Sequence, residues 1–264
     1  MKIETVLFDL DETLIEEEAS NDASALAACE IARRRYDSLD PHKMLNGLRA
    51  CSVEMWRAGP AVDYCRAIGI SSREGLWGAF SGDDPSLRIL ARWIPEYRVE
   101  AWSRALSANR IEDRALAKEL ADAFLDDRKN RHVIFPESVA VLELLRPRVK
   151  LGMITNGAPD IQREKIDKSG LAKYFDAILV SGEVGFGKPK AEIFRLAIDR
   201  LGVDEASAVM IGDSLNRDIA GAANVGIKSV WVNRAGAKDT NGFPTPDAEV
   251  RDLAGLPELL EKIL

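Results

Sequence analysis

Residues 3–13 read Ile3-Glu4-Thr5-Val6-Leu7-Phe8-Asp9-Leu10-Asp11-Glu12-Thr13. The first half is rich in β-branched and large apolar residues and stops abruptly at Asp9. A short run of this kind predicts a strand buried on both faces. On an extended backbone, residues two apart project to the same side, so Asp9 and Asp11 share a direction at the strand's end. Two carboxylates so placed repel each other unless a proton or a cation intervenes. Mg²⁺ is a suitable cation, because it takes oxygen ligands while keeping waters and substrate phosphate. A carboxylate is also a covalent nucleophile in enzymes that form an aspartyl-phosphate. An isolated Asp-x-Asp is equally a loop cap, so the reading turns on the rest of the chain.

Three later stretches carry matching chemistry: Thr155-Asn156-Gly157, Lys188-Pro189 and Gly212-Asp213-Ser214-Leu215-Asn216-Arg217-Asp218. Each follows, or lies close behind, an apolar run that reads as a buried strand. A parallel sheet gathers the carboxyl ends of its strands on one edge, where open α/β folds bind ligands. Thr155 offers a hydroxyl, and Asn156-Gly157 offers backbone amides to an anion; the same tripeptide is also a plain turn former. Pro189 restricts Lys188 to extended conformations, which fixes a point cation where negative charge accumulates. Gly212 allows a sharp turn after its strand, which leaves Asp213 at the sheet edge as a metal ligand. Asp218 falls where the next helix begins, so it is read either as a site residue or as a helix-dipole partner.

Between the first acidic motif and the rest, the texture changes. Residues 16–131 are dominated by Ala, Leu, Arg and Glu with recurrent helical spacing, and Leu116, Leu120, Ala123 and Phe124 form one stripe. This predicts an all-helical insert of four to six helices, broken near Gly59-Pro60, Gly82-Asp83-Asp84-Pro85 and Asn109. It is read as a lid or as an independent helical domain. After Pro136 strand and helix alternate: helices over 138–145, 160–169, 191–201, 219–224 and 258–264, strands over 149–154, 177–180, 208–211 and 228–232. Such alternation implies right-handed crossovers and a parallel sheet covered on both faces. Residues 236–246 read as an irregular loop.

The chain has 264 residues, is 46% hydrophobic and carries a net charge of −7. That is enough apolar content for a substantial core, and the acidic balance argues against a nucleic-acid partner. The three cysteines, Cys29, Cys51 and Cys65, lack CxxC spacing, so reduced thiols in a cytoplasmic protein are expected. No apolar run is long enough to suggest a membrane span. Gly182 to Lys188 fits the start of a Walker A pattern, but Pro189 replaces the required Ser or Thr. His42 and His132 are too isolated for a zinc site or a triad. Arg33-Arg34-Arg35 reads as a solvated helix face.

Taken together, Asp9-Leu10-Asp11-Glu12-Thr13, Thr155, Lys188-Pro189 and the Gly212 to Asp218 motif resemble the haloacid dehalogenase-like hydrolase superfamily. The position of the helical insert is similar to the subgroup with a C1-type cap. The resemblance implies a Rossmann-like parallel-sheet α/β core (residues 1–15 and 132–264) with an inserted all-helical cap domain (16–131). It implies Asp9 as nucleophile and Asp11 as general acid and base. It further implies that Mg²⁺ is held by Asp9, the Asp11 backbone carbonyl and Asp213, and phosphate oxygens by Thr155, Asn156 and Lys188. Asp218 then orients Asp213 or Lys188, and the Thr13 hydroxyl supports the loop. An acid at Asp11 favours phosphate ester hydrolysis over dehalogenation, since a halide needs no proton. Glu12, where related mutases and phosphoglycolate phosphatases have Gly, points toward the branch resembling nucleotidases and N-acylneuraminate-9-phosphatase. The expected partner is a small phosphorylated metabolite, bound by a monomer or homodimer. Phosphomutase or phosphonatase activity, and a receiver-like phospho-switch, are the alternatives.

Overall fold

A computed structural model describes residues 3–238 and 242–263 of the chain. It divides into two compact units, one of Met1–Glu16, Val133–Gly157 and Gln162–Leu264, the other of Glu17–His132 and Ala158–Ile161. Residues 158–161, which the sequence reading leaves in the core, group with the helical unit.

The first unit is built on a six-stranded sheet. Its strands are β1 (Thr5–Phe8), β2 (Lys150–Thr155), β3 (Ala177–Val180), β4 (Ala208–Gly212), β5 (Lys228–Val232) and β6 (Ala248–Val250). Their order is β3-β2-β1-β4-β5-β6, and every pairing is parallel. The expected α/β class is therefore the observed one. Val6 and Phe8 belong to one buried cluster with Leu151, Met153, Val209 and Ile211. Leu7 points the other way, into a second cluster with Ile154, Leu179, Met210 and Phe194. Burial on both faces is why β1 reads as a continuous apolar run. Gly152 of β2 packs against β1 so closely that an added Cβ would lie 2.6 Å from Leu7 Cδ2 and 2.9 Å from Leu201 Cδ1.

The sequence reading missed β6. It is a three-residue edge strand with no buried residue and an exposed Glu249 in the middle, so no apolar run announces it. Residues 239–241 of the expected 236–246 loop lie outside the described residues, as does Leu264 of the last predicted helix.

The helical unit comprises α1 (Glu17–Arg35), α2 (Pro41–Arg57), α3 (Val62–Ile68), α4 (Ser72–Gly75), α5 (Pro85–Ser107) and α6 (Arg114–Lys129). Asp40, Asp84 and Asp113 cap the starts of α2, α5 and α6 with their side chains, and prolines follow at the first position of α2 and α5, where no amide hydrogen is needed. Trp56, Trp93, Tyr97 and Phe80 form an aromatic cluster inside the unit. The α6 stripe differs from expectation at one residue. Leu116, Leu120 and Phe124 are buried, joined by Ala117 and Ala121, whereas Ala123 lies at the margin of the face. Arg128, fully buried at the end of α6, pairs with Glu17, donates to Asn21 Oδ1 at 3.2 Å and covers the Trp77 ring at 4.5 Å. Among the described residues no helix is long and apolar enough to cross a membrane.

The core helices follow as α7 (Ser138–Leu145), α8 (Pro159–Ser169), α9 (Ser181–Val184), α10 (Ala191–Leu201), α11 (Ala220–Val225) and α12 (Leu256–Ile263). A π-type turn over Leu215–Ile219 precedes α11. Cys29 and Cys65 are buried, and burial pushes their thiols up to about 12. Cys51 is pushed up to about 11. None is a thiolate nucleophile near neutral pH.

Candidate active site

Strand order reverses between β1 and β4, since β2 and β3 continue on one side of β1 while β5 and β6 continue beyond β4. That reversal is where open parallel sheets leave a crevice at their carboxyl ends. Phe8 lies opposite Ile211 in the register, so Asp9 and Asp213 emerge from neighbouring strand ends. Phe8 also lies opposite Met153, which brings Thr155 out two residues past the same level on β2. The sheet alone thus gathers residues more than 140 positions apart in sequence.

The centre of the site is Lys188, 4% exposed. Its ammonium lies 2.6 Å from Asp9 Oδ1 and 2.7 Å from Asp218 Oδ1. Burial by itself lowers the ammonium's pKa, but Asp218 and Asp9 outweigh it and raise it, so Lys188 is a permanent cation. The backbone of Lys188 is fixed as well. Asn156 Nδ2 donates to the Lys188 carbonyl and Asn156 Oδ1 accepts from its amide, both at 2.9 Å. Gly187 is required beside this clasp, because a Cβ there would lie 2.7 Å from Asn156 Oδ1.

Asp218 is fully buried and answers the choice left open by the sequence: it holds Lys188 rather than Asp213. Its Oδ2 accepts the Ser214 amide at 3.0 Å, which folds the loop after β4 back on itself. Gly212 lies directly under this carboxylate, where a Cβ would collide with Asp218. Asp213 is fixed through its carbonyl, which accepts from Trp231 Nε1 at 2.8 Å.

Asp9, Asp213 and Asp218 each present a carboxylate oxygen within 4.8 Å of the others. Two oxygens on one magnesium stand no more than about 4 Å apart, twice the metal–oxygen distance, so Asp9 and Asp213 need only a small adjustment. Burial, followed by the charges of Asp9 and Asp218, pushes Asp213 up to about 9. Burial also raises Asp9, and Asp218 adds to the rise while Lys188 opposes it. Two of the three carboxylates contact the one ammonium, and the donor set is all oxygen. These residues fit a hard divalent cation. The carboxylate cluster adds Asp218 to the expected Asp9 and Asp213, while the expectation for Asp11 concerned its backbone carbonyl.

The Asp11 side chain is engaged elsewhere. Lys165 Nζ lies 3.0 Å from Asp11 Oδ1 and 3.1 Å from Oδ2, and Gln162 Nε2 donates to Oδ2 at 3.1 Å. Gln162 Nε2 also donates to Thr155 Oγ1. Neither Gln162 nor Lys165 was found from the sequence. The available signal was their spacing, since Ile161, Gln162, Lys165 and Ile166 occupy one buried face of α8 and a Lys on such a face calls for a partner.

Two other expectations are corrected. The Gly157 amide does not face an anion: it donates to Ser181 Oγ at 2.9 Å. The Thr13 hydroxyl, fully buried, has no hydrogen-bond partner among the described residues, so it does not brace the loop. Bracing comes from Arg234, which donates to the Glu12 carbonyl at 3.2 Å and the Thr13 carbonyl at 2.9 Å. Arg234 also pairs with Glu137 at 2.8 Å and stacks on the Phe135 ring.

The sequence profile of the haloacid dehalogenase-like hydrolases matches residues 3–226. A phosphoserine phosphatase from Thermus thermophilus is 35% identical over 254 residues, covering 94% of this chain and 95% of its own. The N-acylneuraminate-9-phosphatase of Mus musculus is 28% identical over 265 residues, covering 99% of this chain and 95% of its own. In fold, the chain resembles the HAD-hydrolase YfnB from Bacillus subtilis, with a TM-score of 0.66 and 23% identity over 98% of this chain and 99% of that one. The expectation of a phosphoric monoester hydrolase agrees with these named phosphatases. On the profile match and the extended relationship to the first of these enzymes, the chain belongs to the haloacid dehalogenase-like hydrolase family.

Proposed function

We propose that this protein is a Mg²⁺-dependent phosphatase that hydrolyses a small phosphorylated metabolite through an aspartyl-phosphate on Asp9. The observation that carries the reading is the shared ammonium of Lys188, which points Asp9 and Asp218 into one crevice beside Asp213. Asp9 and Asp213, with the Asp11 carbonyl, would hold the metal, which would supply charge neutralisation between nucleophile and phosphate. In the first half-reaction an Asp9 carboxylate oxygen bonds to phosphorus, the bond from phosphorus to the ester oxygen breaks, and Asp11 gives its proton to that oxygen. In the second, a water oxygen bonds to phosphorus, the Asp9–phosphorus bond breaks, and Asp11 takes a proton from the water. Lys188 and the Thr155 hydroxyl meet the charge that gathers on the phosphoryl oxygens. Asn156 serves by its clasp on Lys188.

The test is release of phosphate from p-nitrophenyl phosphate with Mg²⁺ and with a chelator. Activity is expected only with the metal, and Asp9→Asn is expected to lose a factor of roughly 10⁴ or more, as nucleophile removal does elsewhere. An Asp9→Asn protein that keeps most of its activity would overturn the reading. Substrate screening starts from phosphoserine and N-acylneuraminate 9-phosphate, which the relatives' names supply.

A further inference from the structure

We propose that Gln162 and Lys165, one turn apart on α8, are positioning residues that aim the Asp11 carboxyl for proton transfer to and from the reacting oxygen. The inference rests on the phosphatase reading, in which Asp11 is the acid and base. It begins from how the two acids of the first motif are partnered. Asp9 is held by Lys188 and Asp11 by Lys165, so carboxylates two residues apart have separate buried cations. The Lys165 side chain is 1% exposed. Burying an ammonium costs several kcal/mol unless it is paired, so this lysine has a specific destination, and its Nζ reaches both oxygens of Asp11.

Gln162 adds direction. It is fully buried, and its amide nitrogen has two hydrogens. One goes to Asp11 Oδ2 and the other to Thr155 Oγ1. A carboxyl group touched by an ammonium across both oxygens and by an amide at one of them has little freedom to rotate. The same amide occupies a lone pair of Thr155, which leaves that hydroxyl's own hydrogen to point at a different acceptor. One side chain therefore sets the orientation of the acid–base group and of a hydroxyl on the adjacent strand end. The Asp11 side chain remains 27% exposed, so it can still reach a ligand from this tether.

Orientation and mere structural support are separable by leaving group. A nitrophenolate departs without a proton, whereas a phenolate or an alkoxide needs one. We therefore compare kcat/KM, which reports formation of the phosphoenzyme, for p-nitrophenyl phosphate, phenyl phosphate and O-phosphoserine in wild type, Lys165→Met and Gln162→Met. In both variants kcat/KM for phenyl phosphate and phosphoserine is expected to fall about 10²-fold, the lower range for a general acid. For p-nitrophenyl phosphate the fall is expected to be less than about tenfold. Gln162→Met introduces no unpaired charge, so it carries the test if Lys165→Met does not fold. Equal losses on all three esters, or no loss, would overturn the positioning role while leaving the phosphatase reading intact. A wild-type protein inactive on all three esters with Mg²⁺ would overturn both.

Discussion

Lys188 is held between two carboxylates that would otherwise repel each other, and it faces the place where a phosphoryl group is proposed to sit. Lys188→Met is expected to cut kcat by about 10²- to 10³-fold on p-nitrophenyl phosphate, the usual effect of removing one fixed electrostatic donor. Asp218→Asn keeps the size of the side chain but removes one of the two charges on Lys188. A smaller loss is expected there, with Asp9 still pairing the ammonium. If Asp218→Asn cost more than Lys188→Met, Asp218 would be acting on the reaction itself rather than only through Lys188. Most of these residues were readable in the sequence, because Asp9, Lys188 and Asp213 each sit directly behind an apolar run or a fixed turn. The clasp of the Asn156 side chain on Lys188 was not legible, since a side-chain amide's partner depends on which loop folds over it. Arg234 was invisible for a similar reason: its targets, the carbonyls of Glu12 and Thr13, lie more than 200 residues away in sequence and carry no side-chain signature.

At the level of elements, close approach of strands and helices sets the tolerances. In β2, Gly152→Ala would drive a methyl group into Leu7 of β1 and Leu201 of α10. Overpacking of this kind costs about 1–3 kcal/mol, so the urea midpoint of the variant is expected to fall while its catalytic parameters stay near wild type. An unchanged midpoint would mean that α10 shifts freely. Central strands β1, β2, β4 and β5 were legible because burial on both faces leaves them mostly apolar. Strand β6 was not, because an edge strand is defined by backbone pairing with β5 and needs no apolar side chain. Helix α8 was found by its periodicity, yet its two most informative residues were hidden within that same pattern, where Gln162 and Lys165 take slots that apolar residues normally fill.

For the whole molecule, pH couples to stability through the acids at the sheet edge. Asp213 is pushed up to about 9 in the folded chain, against about 3.9 when unfolded. Between those values the metal-free folded protein holds a proton that the unfolded chain does not, so its stability falls as pH rises. Lys188, raised above its ordinary value, stays charged throughout that window and adds no slope. In a chelator, the melting temperature is expected to decline from pH 5 to pH 9; Mg²⁺, which displaces the proton, is expected to raise it most at the alkaline end. A flat or rising profile without metal would show that Asp213 is ionised in the folded state. A separate consequence concerns synthesis. Strand β1, which lies inside the sheet, leaves the ribosome with residues 5–8, but its neighbours β2 and β4 begin only at Lys150 and Ala208. The chain leaves the core at Glu16 and rejoins it at Val133, where the Glu16 amide donates to the Val133 carbonyl at 2.8 Å and Ile15 bridges Ile134. Nearly all of the helical unit is thus translated, and free to collapse on its own contacts, while β1 is still an unpaired apolar segment awaiting partners. During that interval the nascent protein exposes a hydrophobic segment that a chaperone can bind, and Asp9, the proposed nucleophile, is an ordinary aspartate on a disordered chain.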